Sequence, residues 1–389
     1  MITPFDMGRV PHISFGPDRI ADVPQIVAGL GGGPVLLIAD AILGELGVAA
    51  RLGADLNAAG IACVTEASIV GEPKEALVDA LAQAARDAGA QAVIGLGGGA
   101  AMDAAKLVAA IAPSGHPSAR FALAAAPFPQ NRLPAIAIPT TAGTGSEVTR
   151  TSIVSTADGA KNWFWGEELM FAHAVLDPAL TISLPPHITA WTGIDAVAHA
   201  LEGVTSRSSS PGGRHFGLEA LRLLADGLPR AVAQGDDIEA RGQVLWASTL
   251  AGLTLHNCNT HMGHNISHSL GSLARIHHGL ATGLALEVTL PWLVQRPDGA
   301  ENYALAAQAL GGPATAHALP DTFAALMRRC AIPRELPEVC ADITPSALSD
   351  LMKNAANHGM SQNAACAISS DDLDEMAGLM MDLPVPAPA

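Results

Sequence analysis

In the first half of the chain, short unbroken apolar runs alternate with segments whose apolar residues recur every three or four positions. Residues 35–39 (VLLIA) form one such run, ending at Asp40, and a helical pattern follows to about Ala59. Residues 62–67 read as a second strand, Pro73 opens a helical segment reaching about Gly89, and residues 92–96 (AVIGL) make a third strand. Residues 135–138 and 174–176 are further strand candidates. Apolar runs without alternation fit strands covered on both faces, and strands alternating with helices predict a doubly wound parallel sheet. Beyond Pro185 and Pro186 only helical periodicity remains, over residues 189–206, 212–233, 237–257, 262–273, 280–294, 300–311, 320–331, 345–357 and 370–381. A chain of 389 residues is too long for one hydrophobic core. The pattern therefore predicts two domains, an α/β domain over 1–183 and an all-α domain over 184–389. The tail over 384–389 reads as frayed.

Composition narrows the function classes. The chain is 49% hydrophobic, 15% charged and only 4% aromatic, which fits a well-packed enzyme. Its 21 basic and 37 acidic residues leave a net charge of −16, which repels a phosphate backbone and argues against nucleic-acid binding. Five scattered cysteines with no CxxC pair read as free thiols in a reducing compartment. The first ten residues lack the apolar stretch of a signal peptide, and no apolar run reaches the length of a membrane span. A cytoplasmic protein is expected.

Two loops carry the first candidate chemistry. Gly95-Leu-Gly-Gly-Gly99 follows a strand and opens a helix, and consecutive glycines let backbone N–H groups approach a pyrophosphate at that helix's N-terminus. This is not the GxGxxG fingerprint, and taken alone it is equally a tight strand-to-helix turn. A second loop, residues 138–148 (IPTTAGTGSEV), again follows a strand and is dense in hydroxyls and glycines. Two such loops at the carboxyl ends of strands mark the ligand crevice of an open sheet, so the first domain is expected to be Rossmann-like and dinucleotide-binding. Gly97, Gly98, Gly99 and Asp103 in the first loop and its helix, with Thr140, Thr141 and Thr149 in and just after the second, are its candidate contacts. Asp40 ends a strand where an acid accepts bonds from ribose hydroxyls and repels a 2′-phosphate, which favours NAD over NADP; capping the next helix is its rival role.

The helical half carries the second. Asp195 and His199 stand at i and i+4 in residues 192–202 (TGIDAVAHALE), on one face of a helix whose other residues are small or apolar. A buried Asp beside a His needs a partner, and a cation supplies one, although a simple Asp–His hydrogen bond also would. Six of the chain's fourteen histidines lie between His256 and His278, with His264 and His268 again at i and i+4 and His278 before a glycine. A set of three histidines and one carboxylate, without thiolate, suits Fe(II) or Zn(II) with room for a substrate oxygen. Glu202 shares the face of Asp195 and His199; it reads first as a helix-surface residue and second as a group orienting a ligand.

Together these residues resemble the iron-containing (group III) alcohol dehydrogenases over most of the chain. Gly97-Gly-Gly with Asp103 and Lys106 is similar to the family's GGGSxxDxAK. Residues 139–149 (PTTAGTGSEVT) match its PTTxGTGSE loop, and Asp177-Pro178, residues 192–202 and the spacing of His264, His268 and His278 also fit. The resemblance implies an N-terminal dinucleotide domain, a C-terminal helical domain and an active site in the cleft between them. It implies Asp195, His199, His264 and His278 as metal ligands and His268 as a histidine contacting substrate or nicotinamide. By the same carry-over Asp40, Gly98, Gly99, Thr140, Thr141 and Lys161 touch NAD, and the protein is a homodimer or higher homo-oligomer. The sequence departs from the family at Ala100 (usually Ser), at residues 70–73 (VGEP, where the family has Pro-Asn-Pro-Thr), at His277 (usually Pro) and around Gln362 and Asn363. His277 reads as an exposed neighbour or as a base near the site.

The expected activity is NAD-dependent oxidation of a small alcohol, or reduction of an aldehyde, with a divalent ion (iron first, zinc second) polarising the oxygen and His268 relaying the proton. Trp163 and Trp165, on a loop after Lys161, are expected to wall the substrate pocket or to pack in the core. Arg150 or Arg275 is a candidate for an anionic group on the substrate. Three other readings stand beside this one: a metal-free reductase of the maleylacetate type, a lyase of the dehydroquinate-synthase type (disfavoured by the few Lys and Arg around the motifs) and a non-catalytic NAD- and metal-binding sensor.

Overall fold

A computed structural model describes residues 4–385 apart from 158, 160 and 356. Four residues of the tail expected to fray, 386–389, lie outside the described residues. The chain forms two compact units, one of Arg9–Thr141 and Gly145–Thr181, the other of Met1–Gly8, Ala142–Thr144 and Ile182–Ala389.

The first unit is α/β. Its elements run β1 (His12–Phe15), α1 (Val23–Gly29), β2 (Val35–Asp40), α2 (Ala41–Glu45), α3 (Val48–Ala58), β3 (Cys63–Ile69), α4 (Glu75–Asp87), β4 (Ala92–Gly97), α5 (Gly99–Ile111), β5 (Ala135–Pro139), β6 (Thr151–Ser155), β7 (Lys161–Trp165) and β8 (His173–Leu176). Six strands form one parallel sheet in the order β1-β8-β5-β4-β2-β3. The central strands β2, β4 and β5 are buried almost throughout, as their unbroken apolar runs require, whereas the edge strand β3 is half-buried or exposed until Ile69. Helix α4 turns Val78, Leu81, Ala82 and Ala85 inward at helical spacing. Leu37, Leu52, Leu56, Ile94, Ile136 and Val175 sit in the core on one side of the sheet.

Two local expectations change, and one strand appears where none was expected. The helix expected from Asp40 to Ala59 is two helices, α2 and α3, broken at Leu46 and Gly47. Strand β1 carries no apolar run; it exists because its four residues pair in register with β8. Trp163 and Trp165 belong to a strand, not a loop. They lie on β7 of an antiparallel β6–β7 pair, where period-two alternation buries Phe164 and stacks the two indoles on the other face, 5.9 Å apart.

The second unit is helical: α6 (Pro186–Thr205), α7 (Pro211–Ala233), α8 (Ile238–Cys258), α9 (Met262–Leu273), α10 (His278–Leu293), α11 (Ala300–Ala309), α12 (Leu319–Arg329), α13 (Pro345–Met352), α14 (His358–Ser361) and α15 (Ser370–Met381). The helix expected over 345–357 stops at Met352. Helix α6 is buried continuously from Gly193 to Thr205, because α7, α8 and α10 all pack on it. Its alanines and glycines permit that approach, and a helix enclosed on all sides needs no polar stripe. It is the helix that carries Asp195, His199 and Glu202. No helix among the described residues is long and apolar enough to cross a membrane.

Candidate active site

Strand order locates the first candidate region. From β2 the chain passes outward to β3 and then returns to the opposite neighbour of β2, β4, so the direction of winding reverses between β2 and β4. Ligands of open parallel sheets bind outside the carboxyl ends of strands at such a reversal. Asp40 ends β2 and Gly97 ends β4, and Gly98 N–H donates to Asp40 Oδ2 at 2.7 Å across that point. Asp40 occupies the N-cap position of α2, but its side chain makes no capping hydrogen bond. Burial raises its pKa, and the Gly98 N–H partly opposes the rise. Gly97 has a φ of +148°, and a Cβ there would collide with the Asp40 carboxylate. Only glycine allows this approach. Helix α5 then begins at Gly99 with no side-chain cap, leaving first-turn N–H groups for an anion.

The hydroxyl-rich loop is braced from below. Thr140 N–H donates to Gly97 O at 2.9 Å, and Thr141 Oγ1 stands beside Gly98. Asp103 accepts from Ser146 Oγ at 2.6 Å and from Ile153 N–H at 2.9 Å. Lys106, buried, donates to Thr149 Oγ1 at 3.0 Å and to Thr151 O at 2.7 Å, with Asp103 Oδ1 3.6 Å away. Burial pushes the Asp103 pKa up and the Lys106 pKa down, while their mutual attraction opposes both shifts. Asp103 and Thr149 thus hold the loop through their side chains. Lys161 begins β7 and pairs with Glu72 at 2.9 Å, and Glu72 also accepts from Ser155 Oγ. The Glu72 carboxylate therefore ties residues 70–73 to the β6–β7 pair.

In the helical unit, Asp195, His199 and His264 come together. One ligand atom of each lies within 4.8 Å of the others, and all three side chains are buried. Asp195 Oδ1 is 3.8 Å from His264 Nε2 and 3.5 Å from His278 Nε2. Atoms that share an ion at about 2.1 Å stand roughly 3.4 Å apart, so this spacing fits one cation after a small contraction. The rings of His264 and His278 lie 5.6 Å apart, centroid to centroid. His268, one turn along α9 from His264 and buried, stands beside the cluster with its ring 4.9 Å from that of His278.

Tautomers follow from the partners. A carbonyl only accepts, so His199 Nδ1–H donates to Gly143 O at 3.3 Å and leaves Nε2 with its lone pair. His264 Nδ1–H donates to Glu202 Oε2 at 2.6 Å, which likewise bares Nε2. Burial lowers the His199 pKa. Burial also works against charge on His264, but the Glu202 hydrogen bond and the charges of Glu202 and Asp195 outweigh it and raise the pKa. Asp195 Oδ1 and His264 Nε2 are buried without a hydrogen-bond partner among the described residues. Orphaned buried acceptors facing one another are costly, and a cation between them removes that cost.

Glu202 is not a surface residue. It is fully buried and accepts from His261 N–H, Gly263 N–H and His264 Nδ1–H. Burial favours its neutral form, yet His261, His264 and these hydrogen bonds hold its pKa down at about 2. Its spacing from Asp195 and His199 placed it on the face expected to be buried; the three N–H donors that meet it there were not legible. Gly279 is the other residue the sequence pattern undersold. A Cβ there would overlap the Trp191 carbonyl of α6, so glycine lets the start of α10, and hence His278, approach Asp195.

His277 is not an exposed neighbour. Burial lowers its pKa, and its ring packs 5.2 Å from that of Trp191. Arg150 is exposed and paired to the exposed Glu167, which occupies the cation offered for an anionic substrate group. Arg275 is exposed in the connection between α9 and α10.

Comparison with known proteins agrees with this picture. Residues 11–178 match the family model described as iron-containing alcohol dehydrogenase, and residues 189–377 match the C-terminal model of the Fe-containing alcohol dehydrogenase family. A probable alcohol dehydrogenase, EutG, of Escherichia coli (strain K12) is 36% identical over 72% of this chain and 71% of its own length. A sulfoacetaldehyde reductase of Bilophila wadsworthia is 32% identical, covering 78% of each chain. The crystal structure of sulfoacetaldehyde reductase from Bifidobacterium kashiwanohense in complex with NAD+ superposes with a TM-score of 0.88 at 29% identity, over 98% of this chain and 99% of that one.

Proposed function

The chain belongs to the iron-containing alcohol dehydrogenase family and is an oxidoreductase of CH–OH or aldehyde groups, and from that premise we propose an NAD-dependent dehydrogenase of small alcohols that reduces the matching aldehydes. In this reading a divalent cation, Fe2+ first and Zn2+ second, is held by Asp195, His199, His264 and His278. The observation that carries it is the pair of orphaned atoms, Asp195 Oδ1 and His264 Nε2, inside a buried carboxylate–imidazole cluster.

Bound together, the cation supplies Lewis acidity toward an alcohol or carbonyl oxygen and NAD supplies or takes up the hydride. The chain's residues do the rest. Asp40 accepts from the ribose hydroxyls and repels a 2′-phosphate, the first-turn N–H groups of α5 take the pyrophosphate, and Gly97 keeps side-chain atoms out of its path. Gly98, Gly99, Thr140, Thr141 and Lys161 contact the cofactor, while Asp103 and Thr149 act from behind by fixing the loop. His199 and His264 offer lone pairs at Nε2 because Gly143 O and Glu202 hold their other nitrogens protonated. His268 carries the proton to or from the reacting oxygen. In this division residues 1–183 bind NAD and 184–389 bind the metal.

A homodimer or larger homo-oligomer completes the proposal; Phe15 of the outermost strand β1 is 46% exposed. Five cysteines without disulfides support a reducing, cytoplasmic setting. Metal analysis of the purified protein, with NAD turnover on short primary alcohols and diols and NADH turnover on aldehydes that include sulfonated and carboxylated ones, tests the reading. Stoichiometric Fe or Zn with turnover lost on chelation is expected. Full turnover in metal-free protein would favour the metal-independent reductase, and binding of both ligands without turnover the sensor.

A further inference from the structure

Glu202 lies on α6, one turn beyond His199, and meets α9 at its first residues. His261, the residue before α9, brings no capping side chain of its own. Instead Glu202 Oε2 accepts the His261 N–H at 3.0 Å and Oε1 accepts the Gly263 N–H at 2.5 Å, so a carboxylate from another helix caps α9. A negative group at a helix N-terminus is favoured by the helix dipole and satisfies donors that would otherwise be orphaned. The same Oε2 takes the proton of His264 Nδ1 at 2.6 Å. His264 is the candidate ligand that α9 contributes, and its bare Nε2 faces Asp195 of α6 at 3.8 Å.

We propose that Glu202 is the positioning residue of the metal centre, fixing with one carboxylate both the seat of α9 against α6 and the tautomer of His264. This rests on the metal-dependent reading above. Three N–H donors converge on a group that offers only acceptors, and all four partners are buried. An amide cannot replace it. With its NH2 at the Oε2 position, a glutamine opposes the His261 N–H and forces His264 to carry its proton on Nε2, where the cation must bind. With its NH2 at the Oε1 position, it opposes the Gly263 N–H and loosens the first turn of α9. Glu202 also adds a second negative charge beside Asp195, so that two carboxylates and neutral imidazoles balance a divalent ion.

The test is metal binding by the full chain. Apoprotein made by chelation is titrated with Zn2+ in competition with a chromophoric chelator, and separately with Co2+ while its visible d–d bands are recorded. Groups that orient a ligand in this way typically change metal affinity by about 10- to 100-fold when removed. Glu202→Gln is expected to weaken Zn2+ binding by about that factor and to alter the Co2+ band positions, because one imidazole no longer presents the same nitrogen. Thr254→Val, which removes a buried hydroxyl bonded to Leu250 O within α8 and to Gly213 O of α7, is expected to leave both readouts at wild-type values. If Glu202→Gln does not fold, Glu202→Asp carries the test, keeping the charge but losing the reach to His264, with the same expected weakening. Wild-type Zn2+ affinity together with an unchanged Co2+ spectrum in the Glu202 variant overturns the positioning role alone. Failure of the wild-type protein to bind either metal overturns the metal-dependent reading and the role built on it.

Discussion

At the glycine turn of the α/β unit, Asp40 accepts the Gly98 N–H, Asp103 accepts from Ser146 and Ile153, and Lys106 is held by Thr149 and Thr151. At the histidine cluster of the helical unit, Asp195 Oδ1 and His264 Nε2 are buried with no hydrogen bond among the described residues. The first region satisfies its charged side chains with its own backbone and hydroxyl groups and leaves the first turn of α5 without a side-chain cap. The second keeps strong ligand atoms unsatisfied. A phosphate-bearing cofactor needs a preformed cradle of weak donors that survives repeated release, so internal satisfaction is an advantage there. A resident cation needs strong donors that have no better partner, so dissatisfaction is the advantage here.

Four experiments break or sharpen this contrast. The largest effect is expected at the orphaned atoms: His264→Ala or Asp195→Ala should lower kcat/KM by about 10³-fold or more, near 4 kcal/mol of barrier, with loss of bound metal. NADH fluorescence titration of the same variants should give wild-type affinity, and a variant that keeps both metal and turnover would remove the histidine cluster from the mechanism. Next is Lys106→Met, which strips the largely buried Asp103 of its cation. Breaking a buried pair costs about 3 kcal/mol or more, so the denaturant midpoint should fall while metal content per folded molecule stays constant. Smaller is Gly97→Ala, where a Cβ meets Asp40 at a left-handed φ. Strain of that kind costs about 1–3 kcal/mol, and calorimetry should show NADH binding weakened by roughly tenfold or more with Zn2+ affinity unaltered.

The smallest concerns His173 at the start of β8, beside the edge strand β1 and bonded to Ser14 Oγ at 2.8 Å. Burial, with His12 and Arg19 nearby, lowers its pKa from 6.5 to about 4. Between these values the unfolded chain binds the additional proton, so stability falls as the pH drops from about 6.5 to about 4 and this contribution levels off below that. In His173→Asn the decline of Tm over that window should be shallower, with turnover at neutral pH unaffected. An identical decline in the variant would assign the acid sensitivity to other groups.

Legibility tracked how local each signal was. The parallel strands at 35–40, 92–97 and 135–139 announced themselves because burial on both faces leaves an uninterrupted apolar run. The long helices of the second unit were readable from periodicity almost to their ends, as at α7 and α9. Strand β1 was not, since four residues without an apolar run become a strand only when β8 lies alongside. Trp163 and Trp165 went unread as strand for the same reason, because antiparallel pairing with β6 is what extends them. In the site, residue type and spacing put Asp195 with His199 and His264 with His268 on common helix faces, and the convergence of the first pair with His264 is seen only in the fold.

The sequence by itself determined which atoms are available: a carboxylate and imidazoles at helical spacing, glycines where backbone must come close, and hydroxyl donors after a strand. These depend on covalent geometry and on the periods of helix and strand, which are properties of neighbouring residues. Only the tertiary structure decided what each group faces. Burial turned Glu202 from a helix-surface residue into the cap of α9 and the partner of His264, and Gly279 into the gap through which α10 reaches α6. Partners, dielectric surroundings and tautomers are set by residues distant in the chain, and no local pattern encodes them.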